Sequence, residues 1–349
     1  MNTTKKLLPL LLLLVLCCSC LRNSETVKVQ RNRRNIIQVQ DKIQEIKIED
    51  VLLNNYSMVH LIDRYLAIKD PSSYDKIIYL FDKNDFSYIT STGDKGPGPY
   101  ELTTPGDIGF NATNRKLYVP DHGKYQFFFF DLDSVLANPS YTPKERLKFD
   151  RSHIPIDMQY LNDTLSIGYF IMPVSNSDFR PAAGIWNMST DEITLLNTHD
   201  HPQIQRKRAS FAASLEHGIF VEGYMHHDLM SICDLDGNLK YYIYGGKWDD
   251  RTQNKVIFYT KIIFCKDKIV GLYGDGDDNF IQDKDGVRSN EATKLIIFDI
   301  NGDYIQTMEL GYKTLDICYD QDNNRIIMSM DDVIQFAYLD LDGIIIEET

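Results

Sequence analysis

The most acidic stretch of the chain is a loop of closely spaced carboxylates in its second half. Within Gly274–Gly286, the side chains of Asp275, Asp277 and Asn279 offer oxygen ligands of the kind that Ca²⁺ binds. The order Asp-x-Asp-x-Asn begins like an EF-hand loop, but Phe280 stands where that loop needs glycine. We interpret the stretch as a solvated insertion between strands, with a divalent-metal site as the alternative.

Two short stretches rich in histidine offer a second kind of metal ligand. His226 and His227 are adjacent, and residues 199–201 read His-Asp-His. Imidazoles from two converging loops can hold Zn²⁺. Because loop histidines usually belong to the polar surface, we interpret them in that way and expect no cofactor.

Four further side chains are candidates for a ligand mouth: Tyr100, Asp121, His122 and Tyr125. They lie in or beside turns rich in glycine and proline, and their rings and polar atoms suit stacking and hydrogen bonding. The alternative, which we favour, is that Gly96–Gly98 only shapes a turn.

Other sequence features limit the functions to be considered. The chain contains no Gly-x-Ser-x-Gly, His-Glu-x-x-His or phosphate-binding loop. A carboxylate pair for glycoside cleavage is defined by distance in space, so sequence spacing is silent on it. The formal net charge of −13 argues against nucleic acid as a partner, because phosphate contacts need clustered Lys and Arg.

The N-terminus has the layout of a secretory signal. Two lysines precede the apolar run LLPLLLLLVL, which is too short to span a bilayer comfortably. Cys20 follows the small residue Ser19 and resembles the lipid acceptor of bacterial lipoproteins. We predict residues 1–19 as a lipoprotein signal peptide and Cys20 as the lipidated residue, with Cys18 as an alternative acceptor. An ordinary cleaved secretory peptide is the other interpretation.

The next segment is polar and basic, and we predict residues 20–35 as a solvated tether. Contact of its Lys and Arg side chains with anionic lipid headgroups is the alternative. Several acyl chains on one cysteine give stable anchoring. We therefore expect a location in the cell envelope, at the periplasmic or surface face of the outer membrane.

The remaining chain, residues 36–349, repeats two sequence patterns, here called marks, in a constant order. One is an apolar strand that runs into an Asp- or Asn-rich turn and a further strand. It recurs in Tyr79–Ile89, Phe128–Ser134, Ile185–Leu196, Ser231–Ile243, Leu295–Met308 and Phe336–Glu347. The other, a strand, a polar turn and a strand, precedes each of these in Val59–Asp70, Asp107–Asp121, Met158–Phe170, Ala212–Tyr224, Lys261–Asp275 and Asp316–Met330.

The pairing of the two marks predicts an all-β fold, a six-bladed β-propeller with four antiparallel strands per blade. The last unit has room for only three strands. The alternating run Ile36–Ile48 can supply the fourth and close the ring, unless it is an isolated amphipathic segment.

One unit resembles a known repeat. The residues that carry the resemblance are Gly93, Gly96, Pro97, Gly98, Tyr100, Pro105, Asp107, Ile108, Leu117, Tyr118, Val119, Asp121, Gly123, Phe130 and Asp131. They resemble the NHL repeat, although Lys124–Gln126 replaces its usual Asn and Arg. With the leader, the chain is similar to the six-bladed TolB-like or NHL-like propeller lipoproteins of Bacteroidetes, a resemblance that implies a fold and an envelope location but no activity.

Two functions follow as expectations. The favoured one is a non-catalytic scaffold that binds an envelope protein, peptide or glycan through one end of the propeller. The alternative is a hydrolase or lyase, metal-assisted or not, with an active site at the mouth of the central channel. A broad apolar patch on one ring face favours the first, and a cluster of acidic and histidine side chains in the channel favours the second.

Overall fold

The structure is a computed structural model, and it describes residues 26–162, 164–175, 178–196, 200–251, 254–283 and 286–345. The predicted signal peptide and the predicted lipidation site at Cys20 lie outside the described residues, as does His199. Within these ranges, no helix is both long and apolar enough to cross a membrane.

The N-terminal segment adds three short strands to the outer edges of sheets formed much later in the chain. They are β1 (Val27–Gln30), β2 (Ile36–Gln38) and β3 (Gln44–Glu45), with a 3-10 turn at Gln40–Lys42 between the last two. Strands β1 and β2 pair in parallel with their neighbours, whereas β3 pairs antiparallel.

Six sheets of four antiparallel strands form the blades of the propeller. Blade 1 is β4 (Met58–Ile62), β5 (Tyr65–Lys69), β6 (Lys76–Asp82) and β7 (Tyr88–Asp94). Blade 2 is β8 (Gly109–Asn111), β9 (Lys116–Asp121), β10 (Gln126–Asp131) and β11 (Glu145–Lys148), with a short helix α1 (Leu132–Ala137) after β10. Blade 3 is β12 (Ile154–Tyr160), β13 (Leu165–Pro173), β14 (Phe179–Asn187) and β15 (Glu192–Leu195).

The second half of the ring follows the same plan. Blade 4 is β16 (Ala209–Ser214), β17 (Ile219–Tyr224), β18 (Leu229–Asp234) and β19 (Leu239–Gly245). Blade 5 is β20 (Val256–Cys265), β21 (Lys268–Asp278), β24 (Ala292–Asp299) and the first half of β25 (Tyr304–Asp320), and a hairpin of β22 (Phe280–Asp283) and β23 (Gly286–Ser289) is inserted after β21. Blade 6 is the second half of β25, β26 (Arg325–Met330), β27 (Phe336–Asp340) and β3.

The hydrophobic core lies between the blades. One cluster joins Leu80 of blade 1 to Phe128 of blade 2, and another joins Phe81 of blade 1 to Phe336 of blade 6. Because both faces of a blade pack on neighbouring blades, its middle strands are apolar without alternation, as the four consecutive phenylalanines of β10 illustrate.

The prediction of six four-stranded blades closed by an N-terminal strand is confirmed. Only part of Ile36–Ile48 does the closing, because the turn at Gln40–Lys42 divides the run. Ile36–Gln38 pairs with β25 at the edge of blade 5, and Gln44–Glu45 pairs with β27 as the fourth strand of blade 6.

The prediction of a solvated tether is wrong for the described residues before Ile36. Strand β1 pairs with β19 from Val27↔Tyr242 to Gln30↔Gly245. Arg33 is buried and forms a 2.7 Å ion pair with Asp228, which is itself buried. Asp228 is 195 residues away from Arg33, so the sequence around Arg33 gives no sign of this partner. From the sequence alone, the basic segment therefore resembles a solvated tether.

The antiparallel order of each blade places two kinds of loop at one end of the ring. We call this the entry end, because each innermost strand begins there. The connections between the second and third strands, and those from one blade to the next, lie at the same end. The turns between the first and second strands lie at the opposite end.

Candidate functional site

Asp121, one of the four predicted ligand-mouth residues, is buried and fastens the inter-blade loop to blade 2. Its carboxylate accepts hydrogen bonds from the Thr103 amide and hydroxyl, both at 2.6 Å, and from the amides of Thr104 and Lys124. These bonds lower the pKa of Asp121 although burial opposes them, so the carboxylate stays ionised at neutral pH. In the structure, Asp121 therefore holds the inter-blade loop in place.

The other three mouth residues also have partners within the protein. His122 donates from Nε2 to the carbonyl oxygen of Pro155 at 2.8 Å, and burial lowers its pKa. Tyr125 lies under the guanidinium of Arg151, and Tyr100, which is partly exposed, lies under that of Arg146. Their use as a ligand mouth stays a prediction.

The predicted metal-ligating residues are likewise engaged in internal contacts. Asp275 forms ion pairs with Lys294 at 2.8 Å and Lys247 at 3.0 Å. His226 and His227 donate from Nδ1 to backbone carbonyl oxygens at 2.9 and 3.1 Å. Asp277 lies in β21 and is exposed, and the Asn279 amide donates to the carbonyl oxygen of Asn254. Among the described residues, no group of three or more His, Cys, Asp or Glu side chains is arranged to hold a metal ion.

A cavity of about 510 Å³ occupies the central channel, enclosed by the innermost strands of all six blades. None of the four predicted mouth residues is among the side chains that line it in the described structure. The walls combine aromatic and polar groups. The aromatic ones are Phe110, Tyr160, Phe211, Phe264 and Tyr319.

A cluster of charged side chains from four blades lies at the wall of this cavity, where Asp107 and Lys261 line it and Lys69 and Asp316 lie behind them. Asp107 is 3.4 Å from the Lys69 ammonium and 3.5 Å from that of Lys261. Lys261 is also 3.6 Å from Asp316, which accepts a hydrogen bond from the Val59 amide. The carboxylates raise the pKa of Lys261 well above its ordinary value although burial opposes this, so its ammonium is charged.

Asp107 and Asp157 form a hydrogen-bonded pair of carboxyl groups with opposite protonation. Burial alone would raise the pKa of Asp107, but Lys261, His60 and Lys69 hold it well below the ordinary value. For Asp157, burial raises the pKa to about 7, with the neighbouring Asp107 charge adding to the effect. Two carboxyls so close cannot both ionise easily, and below about pH 7 they share one proton.

Two polar atoms on the cavity wall have no hydrogen-bond partner among the residues that the structure describes. His60 Nε2 lies 3.2 Å from Asp107 without hydrogen-bond geometry, and burial lowers the pKa of this imidazole, so it is neutral at pH 7. The hydroxyl of Tyr160 is buried and has no partner in the structure. Buried polar atoms are rarely left unpaired, because each lost hydrogen bond costs roughly 1–3 kcal/mol.

Sequence reasoning missed this cluster. Asp107, Asp157 and Lys261 belong to three blades and are separated by 50 or more residues. Each is a single charged residue within or beside an apolar strand, and that is the only sequence signal that could have indicated it. Only the closure of the ring brings them together.

A different surface feature marks the entry end. Ten exposed large apolar side chains lie on its loops or at the adjoining strand ends: Leu52, Tyr56, Met58, Tyr74, Tyr100, Val174, Phe179, Phe280, Val287 and Val333. Four others, Ile36, Ile89, Leu195 and Leu215, lie elsewhere in the described structure. Tyr74, Leu52 and Val333 are 98%, 95% and 89% exposed.

Six of the ten belong to loops that contact one another, and we call them the apolar arc: Leu52, Tyr56, Tyr74, Phe280, Val287 and Val333. Arg288 of the β22–β23 hairpin pairs with Asp331 at 2.9 Å, two residues before Val333. The Gln335 amide donates to the carbonyl oxygen of Asn54 at 2.9 Å, and the Asn54 amide group donates to Asp70 at 2.8 Å. The arc therefore runs over blades 5, 6 and 1.

A model of a protein family described as a 6-bladed beta-propeller (DUF5128) matches residues 43–180. That range covers blades 1 and 2 and part of blade 3. No curated protein sequence matches the chain. The family match agrees with the six sheets of the structure, and the narrower NHL-like or TolB-like resemblance stays a prediction.

Three solved bacterial structures resemble the chain at low identity. A member of the DUF4221 family from Bacteroides vulgatus superimposes with a TM-score of 0.61 at 8% identity, over 88% of this chain and 98% of the other. A Bacteroides fragilis protein described as exported gives 0.53 at 9%, over 87% and 88%. The extracellular domain of a B. thetaiotaomicron protein described as a one-component system gives 0.52 at 13%, over 85% of this chain and 36% of the other. At such identities the likeness is one of fold, and fold does not determine function.

Proposed function

We propose that this protein is a lipid-anchored envelope scaffold that holds a partner protein against the entry end of its propeller. The observation that carries the proposal is the apolar arc. Single exposed apolar residues are ordinary, whereas their concentration on one face of a ring is typical of an interaction site. The β22–β23 hairpin also supports docking. It forms a sheet of only two strands, and such a sheet becomes more stable when another surface packs against it.

The partner suited to this face carries basic and apolar side chains. Exposed acidic residues accompany the arc at the entry end: Glu49, Asp50, Asp75, Asp277 and Asp332. Opposite charge speeds association and selects among partners more than it adds affinity, whereas the buried apolar residues supply most of the affinity. We therefore infer a protein partner whose contact segment is basic at its rim and apolar at its centre.

The envelope location rests on the leader, and the fold neighbours support it. The layout of residues 1–19 and the position of Cys20 support lipid attachment. Two propellers of similar fold are described as exported or as an extracellular domain. Strand β1 begins seven residues after Cys20, and such a stretch spans at most about 25 Å. A lipid on Cys20 would therefore hold the outer edge of blade 4 close to the membrane.

A test of the docking proposal compares substitutions at the two ends of the ring. Tyr74→Ser with Val333→Ser removes two apolar groups of the arc, and Leu215→Ser removes an exposed apolar group from the opposite end. All three side chains are exposed, so we expect changes in stability within about 0.5 kcal/mol. The proteins are purified from detergent-solubilised envelopes and the co-purified proteins are quantified.

We expect one particular protein to co-purify with the parent chain and the Leu215→Ser variant, and to fall at least tenfold with the double variant. Loss of two buried apolar contacts supports that magnitude, since each contributes roughly 1 kcal/mol or more. Equal recovery with the arc variant and the control would refute docking at the entry end.

The alternative function, an enzyme in the channel, is favoured by one observation, the cluster of His60, Asp107 and Asp157. The two carboxyls hydrogen-bond each other, so they are closer than the roughly 5–9.5 Å that glycosidases need between their catalytic acids. The cluster fits acid–base chemistry on another bond better than glycoside cleavage. Turnover of chromogenic esters or of a lyase substrate that Asp157→Asn abolishes would establish it, and absence of turnover by the parent chain would count against it.

A further inference from the structure

We infer that the central channel is a binding site for a neutral molecule rich in hydroxyl groups, of the size of one or two sugar residues. The inference does not depend on the docking proposal, because no residue of the apolar arc lines the cavity in the described structure. It rests on the size of the cavity, the unpaired polar atoms on its wall and the balance of its charges.

The cavity has the size and lining of a small-molecule site. Its volume of about 510 Å³ falls within the roughly 300–1,000 Å³ of ligand pockets. Phe110, Phe211 and Phe264 supply flat apolar walls from three different blades. A sugar ring has apolar C–H faces that suit such walls and hydroxyl edges that need polar partners.

The polar partners are present and incompletely used. Asp107 and Lys261 keep 22% and 26% of their side-chain surface accessible within the channel. The His60 side chain is only 10% exposed, and its Nε2, like the Tyr160 hydroxyl, has no hydrogen bond. A ligand hydroxyl can donate to the Asp107 carboxylate and accept from the Lys261 ammonium, and a side-chain rotation that brings the buried His60 or Tyr160 atom to the ligand would remove the cost of leaving that atom unpaired.

The charges around the site favour a neutral ligand. The titratable and charged groups facing it from the innermost and adjoining strands are His60, Lys69, Asp107, Asp157, Lys261 and Asp316. Just below pH 7, with His60 neutral and Asp157 still protonated, the ammonium groups of Lys69 and Lys261 are balanced by the carboxylates of Asp107 and Asp316. A net charge on the ligand would disturb this balance in a poorly solvated channel, whereas hydroxyl groups leave it intact.

The ion pairs of Lys261 also leave hydrogen-bond donors and acceptors available to a ligand. Lys261 lies 3.5 and 3.6 Å from its two carboxylate partners, beyond the 2.7–3.2 Å of a good hydrogen bond. The N–H groups of Lys261 can therefore donate to a ligand hydroxyl, and the carboxylate oxygens can accept from one, without loss of a strong internal bond. Charge-assisted bonds of this kind are the stronger ones and would fix the orientation of the ligand.

Ligand binding is measured by saturation-transfer NMR and calorimetry on the purified protein, with named probes. The neutral probes are glucose, galactose, mannose, xylose, N-acetylglucosamine, maltose, lactose and cellobiose, each up to 10 mM. Glycine, acetate and inorganic phosphate represent the zwitterionic and anionic alternatives. We expect at least one neutral sugar, and none of the charged probes, to bind.

Tyr160→Phe is the test variant and Tyr224→Phe its matched control. Each substitution removes one buried hydroxyl that lacks a hydrogen bond, but only Tyr160 lines the cavity. We expect Tyr160→Phe to raise the Kd of the bound sugar about 3- to 10-fold, the range for one lost neutral hydrogen bond, and to keep or raise thermal stability, because it removes an unpaired buried hydroxyl. Tyr224→Phe should leave the Kd as it is.

Asp107→Asn provides a second variant, in which binding should weaken further because a charged acceptor is lost. If it fails to fold, Tyr160→Phe still decides the matter. Three results would overturn the inference: no sugar binds at 10 mM, a charged probe binds in preference, or Tyr160→Phe binds the sugar as tightly as the parent chain does.

Discussion

The carboxyl of Asp157 should give the fold a pH dependence that a single substitution removes. In the folded protein its pKa is raised from the ordinary 3.8 to about 7, because of burial and the adjacent Asp107. Between these two values the folded state holds a proton that the unfolded chain has released. Stability from this group is therefore fully present below about pH 4 and is lost as the pH rises to about 7.

The size of the effect follows from the interval. Each pH unit corresponds to about 1.4 kcal/mol, so the full interval of roughly three units is worth about 4 kcal/mol. Asp157→Asn keeps a neutral group that can donate a hydrogen bond to Asp107, and it has no proton to lose. Between pH 5 and 8, only the two units from pH 5 to 7 contribute. Over this range, the free energy of unfolding of the parent chain should fall by about 3 kcal/mol relative to that of the variant.

Urea unfolding at 25 °C, followed by tryptophan fluorescence at pH 5, 6, 7 and 8, measures this difference. Both proteins contain the buried histidines, whose lowered pKa values make stability fall in acid, so that contribution cancels in the comparison. Asp236→Asn, at an exposed turn between β18 and β19, is the control and should follow the parent profile. Parallel profiles for Asp157→Asn and the parent chain would refute the assigned protonation of the pair.

Three further substitutions test how the ring is held together, each by its effect on the free energy of unfolding. Arg33→Ala leaves the buried Asp228 carboxylate without its cation and should cost about 3 kcal/mol, and a loss below 1 kcal/mol would contradict the clasping role of the N-terminal segment. Asp121→Ala removes the acceptor of four hydrogen bonds and should cost about 3 kcal/mol at pH 7, with a difference that shrinks as the pH falls below the ordinary value of 3.8 towards the lowered pKa of the folded carboxylate; an unchanged urea midpoint at pH 7 would contradict this. Phe127→Ala removes a ring stacked 4.4 Å from that of Trp186 between blades 2 and 3 and should cost about 4 kcal/mol, so that a cost near 1 kcal/mol would show that the blades do not depend on this contact.

Local sequence signals were sufficient for the blades. The hairpin at Asp234–Asn238 illustrates the reason, since the Asp234 carboxylate accepts hydrogen bonds from the amides of Asp236 and Asn238 and Gly237 has a positive φ of 90°. Such turns depend only on neighbouring residues. The same kind of turn follows the third strand in blades 1, 3 and 5, at Asp82, Asn187 and Asp299, whereas helix α1 takes its place in blade 2.

Long-range contacts were beyond the reach of the sequence. The Arg33–Asp228 pair, like the charged cluster around Asp107 and Lys261, exists only after distant strands have been placed beside one another. The loop that contains Gly96–Gly98 is conspicuous in the sequence, but its role in the structure is to connect two blades, and Asp121 fastens it to blade 2. The residues of the apolar arc are single apolar residues in separate polar turns, such as Tyr74 after two serines, so the sequence does not show that they lie on one face.

The most direct test of the docking proposal is site-specific photo-cross-linking in the intact envelope. A photoreactive phenylalanine analogue is placed at Tyr74, which is 98% exposed at the entry end, and in a separate protein at Leu215, which is 51% exposed at the opposite end. The proposal predicts one discrete cross-linked protein from position 74, lost when Val333 is replaced by serine, and none from position 215. Cross-linking of the same proteins from both positions, or of none from position 74, would contradict it.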